Sequence, residues 1–407
     1  MSKLNGWSLF QNRNFAMFLA ARFCASLATM MLGVAIGWQV YAMTRSTFAL
    51  GMVGLAQFLP ALAFALPGGL VADKIDRRLI ILTVLGGELF AAAVLLVLAV
   101  SHSSSVYPIF AVLVLLGTGR SFVAPASQSL LPFIVTAEEF PRAVAWHSTA
   151  FQCATIVGPA LGGFMYAVGP SWVYGTASLL LLGAVLFTFL MQGQWKIDGA
   201  SVGLQDIFTG VTFVFAHKNI LGAISLDLFA VLFGGATALL PVFATEILHT
   251  GPWGLGLLRS APAAGAALVA LWLAHYPLSR NTGKKMFCGV ALFGFSTIAF
   301  ALSTNFLLSA FFLAVLGGAD MISVVIRQTL VQISTPNEMR GRVSAVNSIF
   351  IGASNELGEF ESGVTASLFG TVPATVIGGI GTILVVILWA WLFPSLRNVD
   401  TLKKERS

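Results

Sequence analysis

With 407 residues, 57% of them hydrophobic and only 9% charged, this chain cannot wrap a water-facing surface around a core of its size. Soluble domains carry roughly 25% charged residues. The net charge of +6 does not point to nucleic acid, because its placement along the chain is a topology signal.

Apolar runs recur from Phe15 to Phe393, many reaching the ~20 residues that a helix needs to cross hydrocarbon. They lack the short alternating segments of a membrane β-barrel. The first run is too long for a cleaved signal peptide, is interrupted by Arg22, and ends without a small-residue cleavage pattern. In chain order the pattern predicts about twelve spans, centred near Thr29, Leu59, Phe90, Val114, Ile156, Leu182, Val231, Ala266, Phe295, Leu316, Asn355 and Leu384. Basic residues alternate by loop. Lys3 and Arg13 precede the first span, "DKIDRR" (residues 73–78) follows the second, and Arg142 follows the fourth. Lys196 and Lys218 flank a central linker, "SRNTGKK" (residues 279–285) follows the eighth span, and Arg340 and Arg342 follow the tenth. The intervening loops carry no Lys or Arg apart from Arg45. The positive-inside rule then places both termini in the cytoplasm of a cell with the chain in its cytoplasmic (inner) membrane.

The most polar interior stretch begins at Gln194. It divides the chain into an N-terminal bundle of six helices (residues 1–193), a cytoplasmic linker (194–218), a C-terminal bundle of six (219–394) and a cytoplasmic tail (395–407). Apolar residues from Leu204 to Phe215 fall at helical spacing, which suits a helix lying on the membrane surface. The two halves repeat. At an offset of 200 residues, "LLGTGR" ending at Arg120 meets "LGGAD" ending at Asp320, Arg142 meets Arg342, and "GPALGG" (158–163) meets "GEFESG" (358–363). At 205 residues Arg22 overlies Asp227. Agreement at rare polar positions argues for duplication, and parallel repeats of six helices are a build of secondary transporters.

On these motifs the chain resembles the major facilitator superfamily over its whole length. "GGLVADKIDRR" resembles the cytoplasmic motif between helices 2 and 3, matched by Gly69, Asp73, Lys74, Arg77 and Arg78, with Asp76 in place of the usual glycine. "GPALGG", with Gly158, Pro159, Gly162 and Gly163, resembles the helix-5 motif of the superfamily's antiporters. "APASQSLLPFIV" with "NEMRGRVSAVN" resembles the branch of drug:proton antiporters that holds the enterobactin exporter and the macrolide efflux proteins. The resemblance implies an all-α fold of twelve transmembrane helices in two pseudo-symmetric bundles, whose helices 1, 4, 7 and 10 line a central cavity. It also implies that Asp73 latches the cytoplasmic side by accepting N–H groups at the start of helix 11.

A charge at the centre of a membrane helix costs about 2.5–3.5 kcal/mol on insertion scales, so intramembrane ionisable residues are candidate functional sites. Arg22 and Arg120 lie in the first half, Asp227 and Asp320 in the second. If all face that cavity, cations of one bundle meet anions of the other; the alternative is a set of structural ion pairs stapling the bundles together. Arg327 follows Asp320 by two helical turns. It either holds Asp320 in the absence of substrate or lines the mouth as a snorkelling arginine. Glu356 and Glu359 share a face of helix 11, with Glu361 roughly opposite. Paired carboxylates in a medium that disfavours charge can exchange protons near physiological pH; otherwise they pack helix 11 against helix 2 as neutral hydrogen-bond partners. Glu88 reads as a packing residue of that kind. The Gly158–Gly162 spacing is a small-xxx-small surface, and Pro159 invites a bend. Arg77 and Arg78 serve either topology or the latch.

No nucleotide-binding loop, HExxH or Cys/His cluster is present, so the chain reads as no enzyme, with no metal and no cofactor. His102, His147, His217, His249 and His275 are scattered, and Cys24, Cys153 and Cys288 read as small buried side chains. The expected function is proton-coupled export of an amphipathic organic molecule, such as a siderophore or drug, by a monomer with the lipid bilayer as its surroundings. Phe23, Trp38, Phe58, Phe229 and Phe233 would supply apolar surface, and Arg22 and Arg120 would favour an anionic or polyhydroxylated group. The alternatives are an importer or uniporter of a small metabolite on the same fold, and a membrane receptor or scaffold without transport.

Overall fold

The computed structural model describes residues 8–193, 204–278, 280–336 and 339–400, and the side chains of these except residues 8, 65, 66, 69, 70, 72–74, 204–208 and 345. The described residues form helices throughout. In the first half these are α1 (Arg13–Thr44), α2 (Thr47–Lys74), α3 (Arg77–Val100), α4 (Tyr107–Ile134), α5 (Phe140–Val168) and α6 (Pro170–Leu190). Helix α7 (Leu204–Ala216) follows, at the place expected for a surface helix. The second half holds α8 (Lys218–Phe233), α9 (Leu240–Val242), α10 (Gly251–His275), α11 (Thr282–Leu302), α12 (Phe306–Ser334), α13 (Arg340–Phe369), α14 (Thr371–Leu392) and α15 (Pro394–Arg397). Long helices that are apolar on every side have no energetic reason to be in water and every reason to satisfy their backbone internally.

Among the described residues eleven helical stretches are long and apolar enough to cross a membrane. The twelfth expected span, α13, has 30 residues, hence a length of about 45 Å. It is less apolar than the other spans because it carries Arg340, Arg342, Glu356, Glu359 and Glu361. The seventh span, Lys218–Ile247, is not one regular helix. After α8 the backbone passes through Gly234 and Gly235 into a short 3₁₀ turn (Ala236–Leu239), α9 and a π-helical turn (Phe243–Ile247). A β-carbon at Gly235 would lie 2.5 Å from the carbonyl oxygen of Gly358, so the break is pressed against α13.

Contacts group the chain into two compact units, Met1–Met43 with Leu59–Val202 and Thr44–Phe58 with Gly203–Ser407. The grouping cuts α2. Its first half belongs with the second unit because Gly51 and Gly54 let it approach α13 closely. A β-carbon at Gly51 would stand 2.9 Å from the Phe360 carbonyl, and one at Gly54 2.9 Å from that of Glu356.

Each unit shows the same internal pairing. In the first, α3 packs on α4 and α6; in the second, α11 packs on α12 and α14. Helix α5 meets α1 through Gly158, and its repeat counterpart α13 meets α8 through Gly358. This is the structural form of the duplication. Helix α7 packs on α13, with Gly210 against the Arg342 backbone and Val214 in the buried apolar core of the second unit.

Candidate functional site: two intramembrane charge clusters

In the second unit α8 supplies Asp227, α12 supplies Asp320 and Arg327, and α13 supplies Asn347. The Nη2 of Arg327 lies 3.1 Å from Oδ2 of Asp227, and its Nη1 donates to Oδ1 of Asn347 at 2.8 Å. Arg327 is only 2% exposed and Asp227 6%. Asp320 lies within electrostatic reach of both. The side chain of Arg327 is therefore buried and does not snorkel, and its direct carboxylate partner is Asp227. Helices α8 and α12 are packed neighbours, which brings Asp227 to the guanidinium. The Nε of Arg327 is buried without a hydrogen bond among the described residues.

With both aspartates ionised this cluster holds two negative charges and one positive. An uncompensated charge in a low-dielectric interior is costly, and one proton brings the set to neutrality.

The first unit contains a different cluster. Arg22 on α1 interacts electrostatically with Glu88 on α3 and with His147 on α5. The His147 ring stacks on Phe18, with centroids 5.8 Å apart. Glu88 is thus the counter-charge of Arg22. Arg22 and Asp227 each find an opposite charge inside their own unit. Arg120, on α4, is exposed.

On α13, Glu356 is buried and Glu359 half-buried. The Oε2 of Glu359 lies 3.1 Å from where a β-carbon of Gly54 would stand, which places these acids beside the first half of α2. Glu361 accepts a hydrogen bond from Thr365 at 2.7 Å, so its partner is one turn further along its own helix.

Gly69, Asp73 and Lys74 lie in α2, but nothing of their side chains is among those described, so the Asp73 latch falls outside the described residues. The rest of that motif is clear. Asp76 caps α3: its Oδ1 accepts the Arg78 backbone N–H at 2.8 Å, with φ −53° and ψ 121°. That φ needs no glycine. Arg77 is buried over the Phe133 ring at 4.8 Å. Arg78 donates from Nε to the Thr188 carbonyl at 3.0 Å and from Nη2 to that of Phe189, placing a cation on the last carbonyls of α6.

In the helix-5 motif Gly158 and Gly162 face α1. Added β-carbons would lie 2.6 Å from Met30 Cβ and 2.9 Å from Met31 Cα, and Pro159 and Gly163 are buried beside them. Phe229 and Phe233 pack against the buried core of the second unit. Cys153 and Cys288 are exposed and Cys24 is half-buried, all three as free thiols. The expectation of buried cysteines is thereby corrected, since a small apolar side chain on a membrane helix gains nothing by facing inward. Among the described residues no group of three or more His, Cys, Asp or Glu is placed to hold a metal ion.

The sequence reading missed Asn347, His147 and the pairing role of Glu88. Asn347 and His147 lie in polar helix starts where nothing sets them apart. For Glu88, its isolation in an apolar run was the available signal.

Residues 4–407 match the family model described as transmembrane secretion effector. Enterobactin exporter EntS of Citrobacter koseri is 26% identical over 396 residues, covering 94% of this chain and 92% of the relative. EntS of Escherichia coli O9:H4 is 25% identical over 403 residues with the same coverage. Among solved structures, the nucleoside transporter NupG superposes with a TM-score of 0.69 at 15% identity, covering 93% of this chain and 99% of that one. A bacterial homolog of the human lysosomal transporter Spinster, inward-facing and unoccupied, gives 0.70 at 12% identity, covering 98% and 97%. At such identities the structural likeness concerns the fold.

Proposed function

The chain belongs to the transmembrane secretion effector family of the major facilitator superfamily, and from that premise we propose that it is a proton-coupled exporter of an amphipathic organic molecule. It is a multi-pass membrane transporter and not an enzyme; the proposal adds direction, coupling ion and cargo. In this reading both termini face the cytoplasm and the monomer is the working unit. The cargo is siderophore-like, in keeping with the relatives named as enterobactin exporters, and exposed Arg120 offers a cation to an anionic or hydroxylated group.

The observation that carries the reading is the excess of carboxylates over guanidinium around Arg327. With no proton bound, Arg327 is held by Asp227 at 3.1 Å while Asp320 contributes a second negative charge. A proton arriving from outside discharges one aspartate. The attraction between α8 and α12 then changes by one unit charge in a medium where charges interact strongly. Alternating access needs such an element, one whose two arrangements differ in free energy according to what is bound.

The test is transport of enterobactin by purified protein in proteoliposomes under an imposed pH gradient. Uphill movement should follow the gradient in the unaltered protein and disappear in Asp227→Asn and Asp320→Asn. Counterflow exchange, which needs no net proton movement, should survive in at least one of the two variants. Movement indifferent to the gradient in the unaltered protein would instead establish facilitated diffusion.

A further inference from the structure

The second half of α2, with α3 and α4, encloses a cavity of about 370 Å³ within the first unit. Its wall is mainly hydrocarbon, from residues such as Val71, Ile75, Leu79 and Phe122. Three lining residues carry polar side chains: Thr83, Thr118 and Glu88. The hydroxyl of Thr83 is already donated to the Leu79 carbonyl at 2.9 Å, and that of Thr118 to the Val114 carbonyl at 2.8 Å. Glu88 is therefore the one ionisable group on the wall. Arg22 lies within electrostatic reach of it, but no hydrogen bond among the described residues reaches its carboxylate.

The space exists because glycines border it. A β-carbon at Gly86 or Gly87 would meet nothing within 4 Å, and both Gly87 and Gly119 line the cavity. The shape is elongated. Leu79 and Glu88 stand nine residues apart on one helix, about 14 Å. Ile75 and Leu79 at one end are exposed (43% and 55%), while Glu88 at the other is half-buried. The result is an apolar slot, open at the start of α3, with a single acceptor at its inner end.

We propose that this slot binds a single-chain lipophilic amine, hydrocarbon body along α3 and ammonium head donating to Glu88. The volume sits at the small end of the ~300–1,000 Å³ typical of small-molecule sites, which suits one hydrocarbon chain. The wall offers an acceptor and no spare donor, so it disfavours carboxylates. A charge-assisted bond to an ammonium is roughly twice as strong as a neutral one, so an amine outcompetes an alcohol of equal length. The site is separate from the aspartate cluster, and its occupancy is a binding property that does not depend on proton coupling.

The test is photolabelling in phosphatidylcholine nanodiscs with dodecylamine carrying a terminal diazirine, and with the matching diazirine dodecanoate. The amine should label peptides within residues 71–122 and be displaced by unlabelled dodecylamine; the carboxylate should not. Gly87→Leu, whose β-carbon enters open space, should suppress labelling at least tenfold, and Glu88→Gln by about tenfold. Thr83→Val should leave it unchanged. Equal labelling by both probes in the unaltered protein, a comparison needing no variant, would overturn the proposal. So would labelling that survives both Gly87→Leu and Glu88→Gln.

Discussion

Both units carry charge inside a duplicated scaffold, yet they balance it differently. In the first, Arg22 faces one carboxylate, Glu88, with His147 beside them. In the second, Arg327 faces two carboxylates and an amide. A one-to-one set is electrically neutral without a proton. A two-to-one set is complete only with one. Duplication with inversion of charge at the overlaid positions Arg22 and Asp227 thus leaves the two halves with different charge balances.

The largest expected effect tests that asymmetry directly. Arg327→Met strands two carboxylates in a site where the native arginine is 2% exposed, and should lower unfolding free energy in mixed micelles by about 3–5 kcal/mol. Arg22→Met strands one carboxylate that borders an open slot, and should cost less, about 1–3 kcal/mol. Asp227→Asn added to Arg327→Met should recover part of the loss. Equal costs for the two arginine variants would erase the distinction between the units.

A middle-sized effect compares the repeat-related helix contacts. Gly158 lets α5 onto α1, and Gly358 lets α13 onto α8. A methyl at Gly158 would lie 2.6 Å from Met30 Cβ, whereas one at Gly358 would lie 3.0 Å from the carbonyls of Val231 and Leu232. Both Gly→Ala variants should destabilise, within the ~1–3 kcal/mol usual for overpacking, with Gly158→Ala the worse. The same micelle unfolding assay reads the order, and a reversed order would mean that α8 yields less than α1 to the same intrusion.

Much of this architecture is legible in the sequence, because hydrocarbon imposes one dominant rule. Apolar length marks the spans, and the cost of lone charges makes Arg22, Arg120, Asp227 and Asp320 conspicuous before any contact is known. What stays illegible is lateral. Whether Arg22 meets Glu88 or a distant aspartate depends on which helices are neighbours and how each is rotated, and apolar runs of Leu, Ala and Val carry almost no information about either. The same gap hides the attachment of the first half of α2 to α13, which rests on Gly51 and Gly54 and not on any charged motif. Helix α13 is the converse case: its length reads as a span centred near Asn355, although its acids and arginines dilute its hydropathy.

The smallest effect concerns how the two units start equivalent helices. Asp76 caps α3 locally, through the Arg78 backbone N–H at 2.8 Å. Its counterpart α11 begins after Asn281, which has φ 54°, and takes its cap from far along the chain. The Asn281 N–H donates to the Asp400 carboxylate at 2.8 Å, and the Thr282 and Gly283 N–H groups donate to the carbonyls of Asp400 and Val399 at 3.2 and 2.9 Å. Asp76→Ala removes the acceptor and should cost about 1 kcal/mol, while Asp76→Gly, the residue usual in the family motif, should cost only a few tenths. Asp400→Ala removes one acceptor of three, the other two being backbone, and should fall below Asp76→Ala. A loss on Asp76→Gly as large as on Asp76→Ala would mean that the side chain does more at this turn than cap a helix. Because Arg77 and Arg78 follow directly, the place to look would be their contacts with Phe133 and the end of α6.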